Sequence, residues 1–417
     1  MDGLRPKPLD PAPKGRGSYL ERRIMRSISA TFPLIATALI VLPLLAAESH
    51  KGEDLTGRVF AGKDLTDADF KACNLENARF NQVIGVKANF SGSTGKNVNF
   101  SSMQISEVNF NNVQFPAVDF RNADMRGSSF RKAVLPDANF QNAVLLESNF
   151  EGATLTKANF VEAKFSEKTA FNRANLEGAV FRNNSLEESS FSKANLTGTS
   201  FSGVKFENAD FGGATVINVN FSDANLTNAD ISKLDFQNAN FQSTALVEAN
   251  MKGSTFSETK FDKAEFQYTK LSGVKFNKCS FNNTSFYRTD LSGVDFSHST
   301  FNATTFDMKT MEKVNFSDSK LDRAKFVADK IANVNFSGAS LKGADFSSSK
   351  LFNCDFSGAD LTNARFDNAF ITACDFGGAN LATVFWDSDH LKKNLFNQET
   401  RFPRSYTPKP SQMRAAR

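Results

Sequence analysis

The chain offers four cysteines and three histidines for metal, redox or nucleophilic chemistry, and their spacing brings none of them together. Cys73, Cys279, Cys354 and Cys374 form no CxxC pair, and His50, His298 and His390 are scattered, so neither a zinc site nor a redox motif is expected. Each cysteine lies two residues before a large apolar residue, which is the place of a small core side chain. Cys354 and Cys374 stand apart because 20 residues separate them. Lys309 and Asp329 share the same small-residue position and the same spacing. They read either as an internal ion pair marking a site or as a local bulge that turns both outward. The bulge is favoured by the apolar Met308 and Val327 beside them, and an isolated buried pair gains little net stability. Asn-x-Ser/Thr triplets such as Asn89-Phe90-Ser91, Asn195-Leu196-Thr197 and Asn315-Phe316-Ser317 recur with the general pattern of the chain and therefore carry no glycosylation signal. A Gly-rich phosphate loop, a Ser/His/Asp set and a distinct carboxylate pair are all missing. No catalytic residue, cofactor-binding residue or metal ligand is assigned, and no cofactor is expected.

Composition narrows the class. Phe occurs 44 times against one Trp and four Tyr, with 40% hydrophobic and 23% charged residues. That balance excludes a wholly disordered chain and suggests a repetitive, ordered one. The net charge of +4 hides three unlike segments: +3 over residues 1–49, about −5 over 50–390, and +6 over 391–417. The body is nearly neutral, which argues against a nucleic-acid partner.

Residues 1–26 form a basic extension ending in Arg22, Arg23 and Arg26, and residues 27–49 are an apolar segment without charge from Ser27 to Ala47. A basic region, an apolar run and the small residues Ala46 and Ala47 describe a secretory signal peptide; the rival reading is an uncleaved membrane anchor. Pro33, Pro43 and the small residues favour cleavage. Translation starts at Met1 or Met25. Either way the remainder is expected outside the cytoplasm: periplasmic, secreted, or held there by the anchor.

From Leu55 every fifth residue to Phe165 is large and apolar, save Gly85 and Gly95. One residue is inserted within Ser166–Ala170, and the lattice resumes at Phe171 and continues to Leu391 without a polar exception. Of the 44 Phe, 38 occupy the 68 lattice points. Two residues before each centre sits a small side chain (Ala68, Cys73, Ala78, Val83). The other three positions hold mostly Asn, Asp, Ser, Lys, Gly and Glu. A period of five fits neither a helix nor a strand. It fits a chain that turns a corner every five residues, with short extended pieces stacked coil upon coil.

Ala68-Asp69-Phe70-Lys71-Ala72, Ala174-Asn175-Leu176-Glu177-Gly178, Ala194-Asn195-Leu196-Thr197-Gly198 and Ala359-Asp360-Leu361-Thr362-Asn363 resemble the pentapeptide-repeat family, whose pattern is small, Asp/Asn, Leu/Phe, Ser/Thr, Gly. The resemblance covers Leu55 to Leu391 and implies an all-β fold, a right-handed quadrilateral β-helix with four pentapeptides per coil, hence about 17 coils of 20 residues over 50–391. At about 4.8 Å per coil the solenoid is roughly 80 Å long. Asn397–Pro403 is similar to the segment that closes the solenoid in family members, so 392–417 reads as a C-terminal cap and basic tail. His50–Asp54 and Leu391–Pro403 are the expected covers for the two ends. The 20-residue spacing makes Cys354 and Cys374 neighbours in consecutive coils, with parallel side chains that favour thiols over a strained disulfide. The inserted residue is expected to be a corner bulge that leaves the Phe stacks continuous.

The sequence thus points to a non-enzymatic exported scaffold that acts through a protein or surface partner along a rigid rod. Self-association through the solenoid ends is allowed, and membrane contact comes only through the N-terminal anchor. The alternative is resemblance to family members that imitate DNA and bind topoisomerase. Such mimicry needs a dense acidic surface, which a body near −5 does not supply. An enzyme is a distant third.

Overall fold

The computed structural model describes residues 47–386 and 390–409. The extension 1–26 and all of the 27–49 targeting segment except its last three residues lie outside the described residues. From Glu48 the chain winds into a β-solenoid in which every named strand pairs in parallel with one in a neighbouring coil. The cross-coil partners are 20 residues apart from Ser49↔Asp69 onward, and 21 apart across the inserted residue (Asn149↔Ala170) and at the last bridge (Asn380↔Arg401). Each centre donates its N–H to the carbonyl of the next coil (Phe60 N to Arg79 O, 2.8 Å), and the residue before it donates backward (Asp69 N to Glu48 O, 2.9 Å). A parallel ladder of this kind satisfies the backbone without long strands.

The corners follow from backbone conformation. Two residues after each centre the chain enters the left-handed region, as at Asp67, Ala72 and Asn77. The small residue that follows closes the turn, Ala68 N to Leu65 O at 3.0 Å. The Asn or Asp before a centre stabilises that turn by accepting from the N–H two residues on, as Asn89 Oδ1 does from Ser91 N at 3.1 Å. Gly85 and Gly95 break the lattice for a steric reason. Both lie at positive φ, and a Cβ on either would approach the backbone of the preceding coil to 2.7 Å at Thr66 N and 2.6 Å at Leu75 C.

The core is a herringbone of rings. One stack runs without interruption from Phe60 through Phe160 and Phe181 to Phe301, with ring centroids 4.7 Å apart at its first step and at its last. Rings from the opposite face meet it edge-on, as Phe80 meets Phe90 at 5.2 Å and 88°. Both geometries suit the aromatic quadrupole. The inserted residue is absorbed as expected: Phe150 stacks on Phe171 at 5.0 Å and Phe160 on Phe181 at 4.6 Å. Lys168 takes the left-handed corner and Thr169 is buried, while Glu147 N donates to Ser166 Oγ (2.8 Å) at the bulge. Farther on, Phe passes to the other two faces, in stacks such as Phe236–Phe256 (4.7 Å) and Phe266–Phe286 (4.7 Å), and Leu, Met and Ile fill the first pair, which preserves layer volume.

Both ends are covered. His50 sits on the first lattice point before Leu55, stacked on Phe70 at 5.1 Å. At the other end Trp386, Phe396, Phe402 and Tyr406 close over the core, with Trp386 and Tyr406 rings 5.2 Å apart.

Candidate functional site

The lattice holds a second regularity that its spacing alone does not announce. Where the small position is Ser or Thr, the hydroxyl commonly donates to the carbonyl of a centre one coil earlier, as Thr199 Oγ1 does to Leu176 O, Thr244 to Phe221 and Thr269 to Leu246, each at 2.7–2.8 Å, whereas Thr259 and Ser299 donate within their own coil. Polar side chains in the core are therefore staples between coils rather than a site. Asn394 does the same at the C-terminal end, giving its amide to Ile371 O (3.1 Å) and accepting from Cys374 N (2.9 Å).

The four cysteines are buried free thiols. Cys354 and Cys374 are neighbours across one coil, with Cys354 N donating to Cys374 Sγ at 3.4 Å. Burial pushes Cys279 up to about 12 and Cys374 well above the usual thiol range, which keeps both protonated and inert. His298 is exposed beside Asp318, and His390 stacks on Phe370 at 4.2 Å. His50 lies between two carboxylates, Nε2 at 2.9 Å from Glu48 Oε1 and Nδ1 at 2.9 Å from Glu53 Oε2. Burial alone would lower its pKa; the hydrogen bonds to Glu53 and Glu48 and their charge outweigh it, so the group is raised.

Lys309 and Asp329 both turn outward, as the bulge reading expects, but Val327 plays no part in it. Met308 and Ala328 take the inward places instead, because a charged side chain has no partner in this core. The consequence is larger than a bulge. The chain crosses this corner in extended strands, Thr305–Glu312 and Lys325–Ala332, paired on both sides of the unpaired Lys309 and Asp329. Among the described corners only Met308, Ala328 and Thr383 lack the left-handed residue.

Immediately beyond the straightened corner the surface changes character. Phe352 and Phe370 are exposed by 50% and 46% on one face, and Phe385 by 56% on the adjoining one. Lys330, Lys350, Phe352, Phe370 and Thr372 line an open depression of about 470 Å³ whose floor is Leu351. The strands Lys325–Ala332, Lys350–Phe352, Phe370–Thr372 and Leu391–Lys392 hold it in register, with Lys350 beside Phe370. Lys330 Nζ reaches Glu312 Oε1 at 2.7 Å, which holds that carboxyl below its ordinary range. A signal for this patch was present in the sequence. Phe352, Phe370 and Phe385 are three of the six Phe that fall off the five-residue lattice; Phe396 and Phe402 belong to the cap, and Phe32 lies outside the described residues.

A second aromatic cluster is self-satisfied: Arg288 Nη1 donates to Tyr268 Oη at 3.1 Å and the guanidinium lies 5.1 Å over the Tyr287 ring. Among the described residues no group of His, Cys, Asp or Glu is placed to hold a metal ion.

The family model for a pentapeptide repeat region matches residues 63–140, 133–211 and 259–336, and that for eight-copy pentapeptide repeats matches 205–242, 235–277, 330–368 and 351–382. The chain belongs to the pentapeptide-repeat family. Among solved structures it is similar to QnrB1, described as a plasmid-mediated fluoroquinolone resistance protein, at 21% identity over 43% of this chain and 91% of that one, with a TM-score of 0.39. It is also similar to HetL, a pentapeptide-repeat protein involved in heterocyst differentiation regulation from the cyanobacterium Nostoc, at 18% identity over 51% and 90% of the two chains, with a TM-score of 0.23. No curated protein matches the sequence. Membership rests on the repeat models and the coil geometry, not on these superpositions.

Proposed function

We propose that this pentapeptide-repeat solenoid is a non-enzymatic, exported scaffold that binds a partner through the face beyond its straightened corner. The observation that carries the reading is the coincidence, in consecutive coils, of an abandoned corner and exposed Phe, on a surface whose other exposed large apolar side chains include no Phe. Departures from an otherwise consistent pattern mark functional places, and an apolar patch rimmed by charge marks an interaction site. Export is supported by the charge-free run behind Arg22, Arg23 and Arg26. Intact-mass analysis in a Gram-negative host checks it: a mature N-terminus near His50 is expected, and a full-length membrane species would select the anchor instead.

The interaction reading is tested by fractionation and proximity labelling from the C-terminal end of the solenoid. Phe352→Ala/Phe370→Ala should lose neighbours that the parent retains. An unchanged labelled set would remove this face from consideration. The DNA-mimic alternative finds little support in the surface. The cross-coil column that starts at Asp54 and ends at Leu395 has carboxylates only at Asp54, Asp235, Asp295, Asp355 and Asp375, where phosphate imitation requires one at nearly every step.

A further inference from the structure

We propose that the face around Phe352 and Phe370 binds an acidic peptide segment that carries a large apolar anchor residue; this rests on the scaffold reading above and names the chemistry of its partner. Three observations converge. First, the depression is apolar, with Leu351 beneath it and the exposed rings of Phe352 and Phe370 bordering it, so what enters it is an apolar side chain rather than a hydroxyl-rich ring. Ala332 and Thr372 flank Phe352 in its column, and both are smaller than the ring, which leaves room beside it. Second, among the described residues the charge is one-signed. Lys330, Lys350, Lys392 and Lys393 are exposed on this face, and among the described residues its outward positions from Lys330 to Lys393 carry no carboxylate. Glu312 and Asp329 border it, on the preceding coil and on the straightened corner, and Glu312 is already paired with Lys330. Third, the apolar element is central and the cations are peripheral. That is the arrangement of a protein interface, with a desolvated anchor within a charged rim that steers and orients the partner.

Other polyanions fit less well. Single-stranded nucleic acid needs open aromatic faces on which bases stack, and His390 already occupies one side of Phe370 at 4.2 Å. An anionic bilayer asks for apolar groups that protrude, whereas these rings border a depression.

The test is a random-peptide display selection on the full solenoid, with prior depletion on the Phe352→Ala/Phe370→Ala variant. The expected yield is sequences with Asp or Glu on both sides of Trp, Phe, Leu or Met. For a selected peptide, Phe370→Ala and Lys350→Gln should each weaken binding about tenfold, and Lys350→Glu should return a consensus with basic flanks. All of these substitutions are at exposed positions, and circular dichroism and melting of each variant confirm that the solenoid is retained. A consensus without acids, or no enrichment over the depleted variant, overturns the proposal. So does patch-dependent binding of phosphatidylglycerol vesicles or an oligothymidylate in place of peptide. If the selection fails while proximity labelling still depends on Phe352 and Phe370, the acidic-peptide chemistry falls and the scaffold reading remains.

Discussion

A phenylalanine in the repeats has one of two lives, and whether it lies on or off the five-residue lattice decides which. Phe140 lies fully buried between Phe120 at 4.9 Å and Phe160 at 4.7 Å, so Phe140→Ala opens a cavity that its stacked neighbours cannot fill and should cost about 3–5 kcal/mol in chemical unfolding. Phe370→Ala, made on the surface, should change stability by less than about 0.5 kcal/mol. Comparable losses at the two sites would mean that the exposed ring is structural. The cysteines follow the same logic. Since all four thiols are buried, including Cys354, whose hydrogen bond to Cys374 lowers its pKa while burial raises those of Cys279 and Cys374, none should react with a maleimide at neutral pH until the chain unfolds, when all four should. Rapid labelling of the native protein, or a mass deficit of two hydrogens at Cys354 and Cys374, contradicts this picture. Which residues enter the core was legible from the sequence, because a lattice of one large and one small side chain per five residues has a single way to close. The hydroxyl staples were not, since Ser and Thr at the small position satisfy the size rule equally well whether or not they donate to the coil before.

At the scale of the coil and its corner, the insertion near Lys168 and the straightened corner near Met308 solve different problems. The first adds a residue and leaves the stacks intact, so deleting Lys168 should restore a plain pentapeptide with Glu167 at the left-handed corner, a place Glu107, Glu147 and Glu162 already occupy. The deletion variant should melt in one cooperative step within a few degrees of the parent; two steps would make this corner a hinge between separate solenoids. The straightened corner was visible only as a choice between an ion pair and a bulge. Size and charge excluded Lys309 and Asp329 from the core, but which neighbours would replace them depended on the extended path that brings Met308 and Ala328 inward. The N-terminal cover is sensitive to pH in both directions. His50 has a raised folded pKa, so its stabilisation is complete below its unfolded value and disappears as pH rises through the folded one. Glu48, lowered first by its hydrogen bond to His50, stabilises above its unfolded value and stops doing so as pH falls through the folded one. Amide exchange at Asp69, which donates to Glu48 O at 2.9 Å, should be slowest near pH 5–6 and faster at pH 8 after correction for the intrinsic rate. His50→Phe should keep the stack and abolish the difference between those two pH values.

For the molecule as a whole, near-neutral columns of Asn, Ser and Thr predict that the purified protein leaves gyrase supercoiling unaffected at stoichiometric concentration; strong inhibition would demand an acidic face that the columns do not contain. The fold could be argued from the periodicity, because nearest-neighbour stacking makes each coil an independent vote for the same architecture. The binding face could not, because an outward position imposes no packing constraint and only the off-lattice rings betray it. The constant four corners per coil, kept even where an inserted residue lengthens a coil to 21, also make the solenoid a counting device. Removing one pentapeptide anywhere between the His50 cover and Thr305 would leave every core position filled, yet it would rotate all later coils by a quarter turn and shift the straightened corner and its phenylalanines onto another side of the shaft. Removing four would leave their bearing unchanged and shorten the shaft by about 4.8 Å. The direction in which the binding face points is therefore stored as a remainder after division by four, a quantity that drift in individual residues cannot alter.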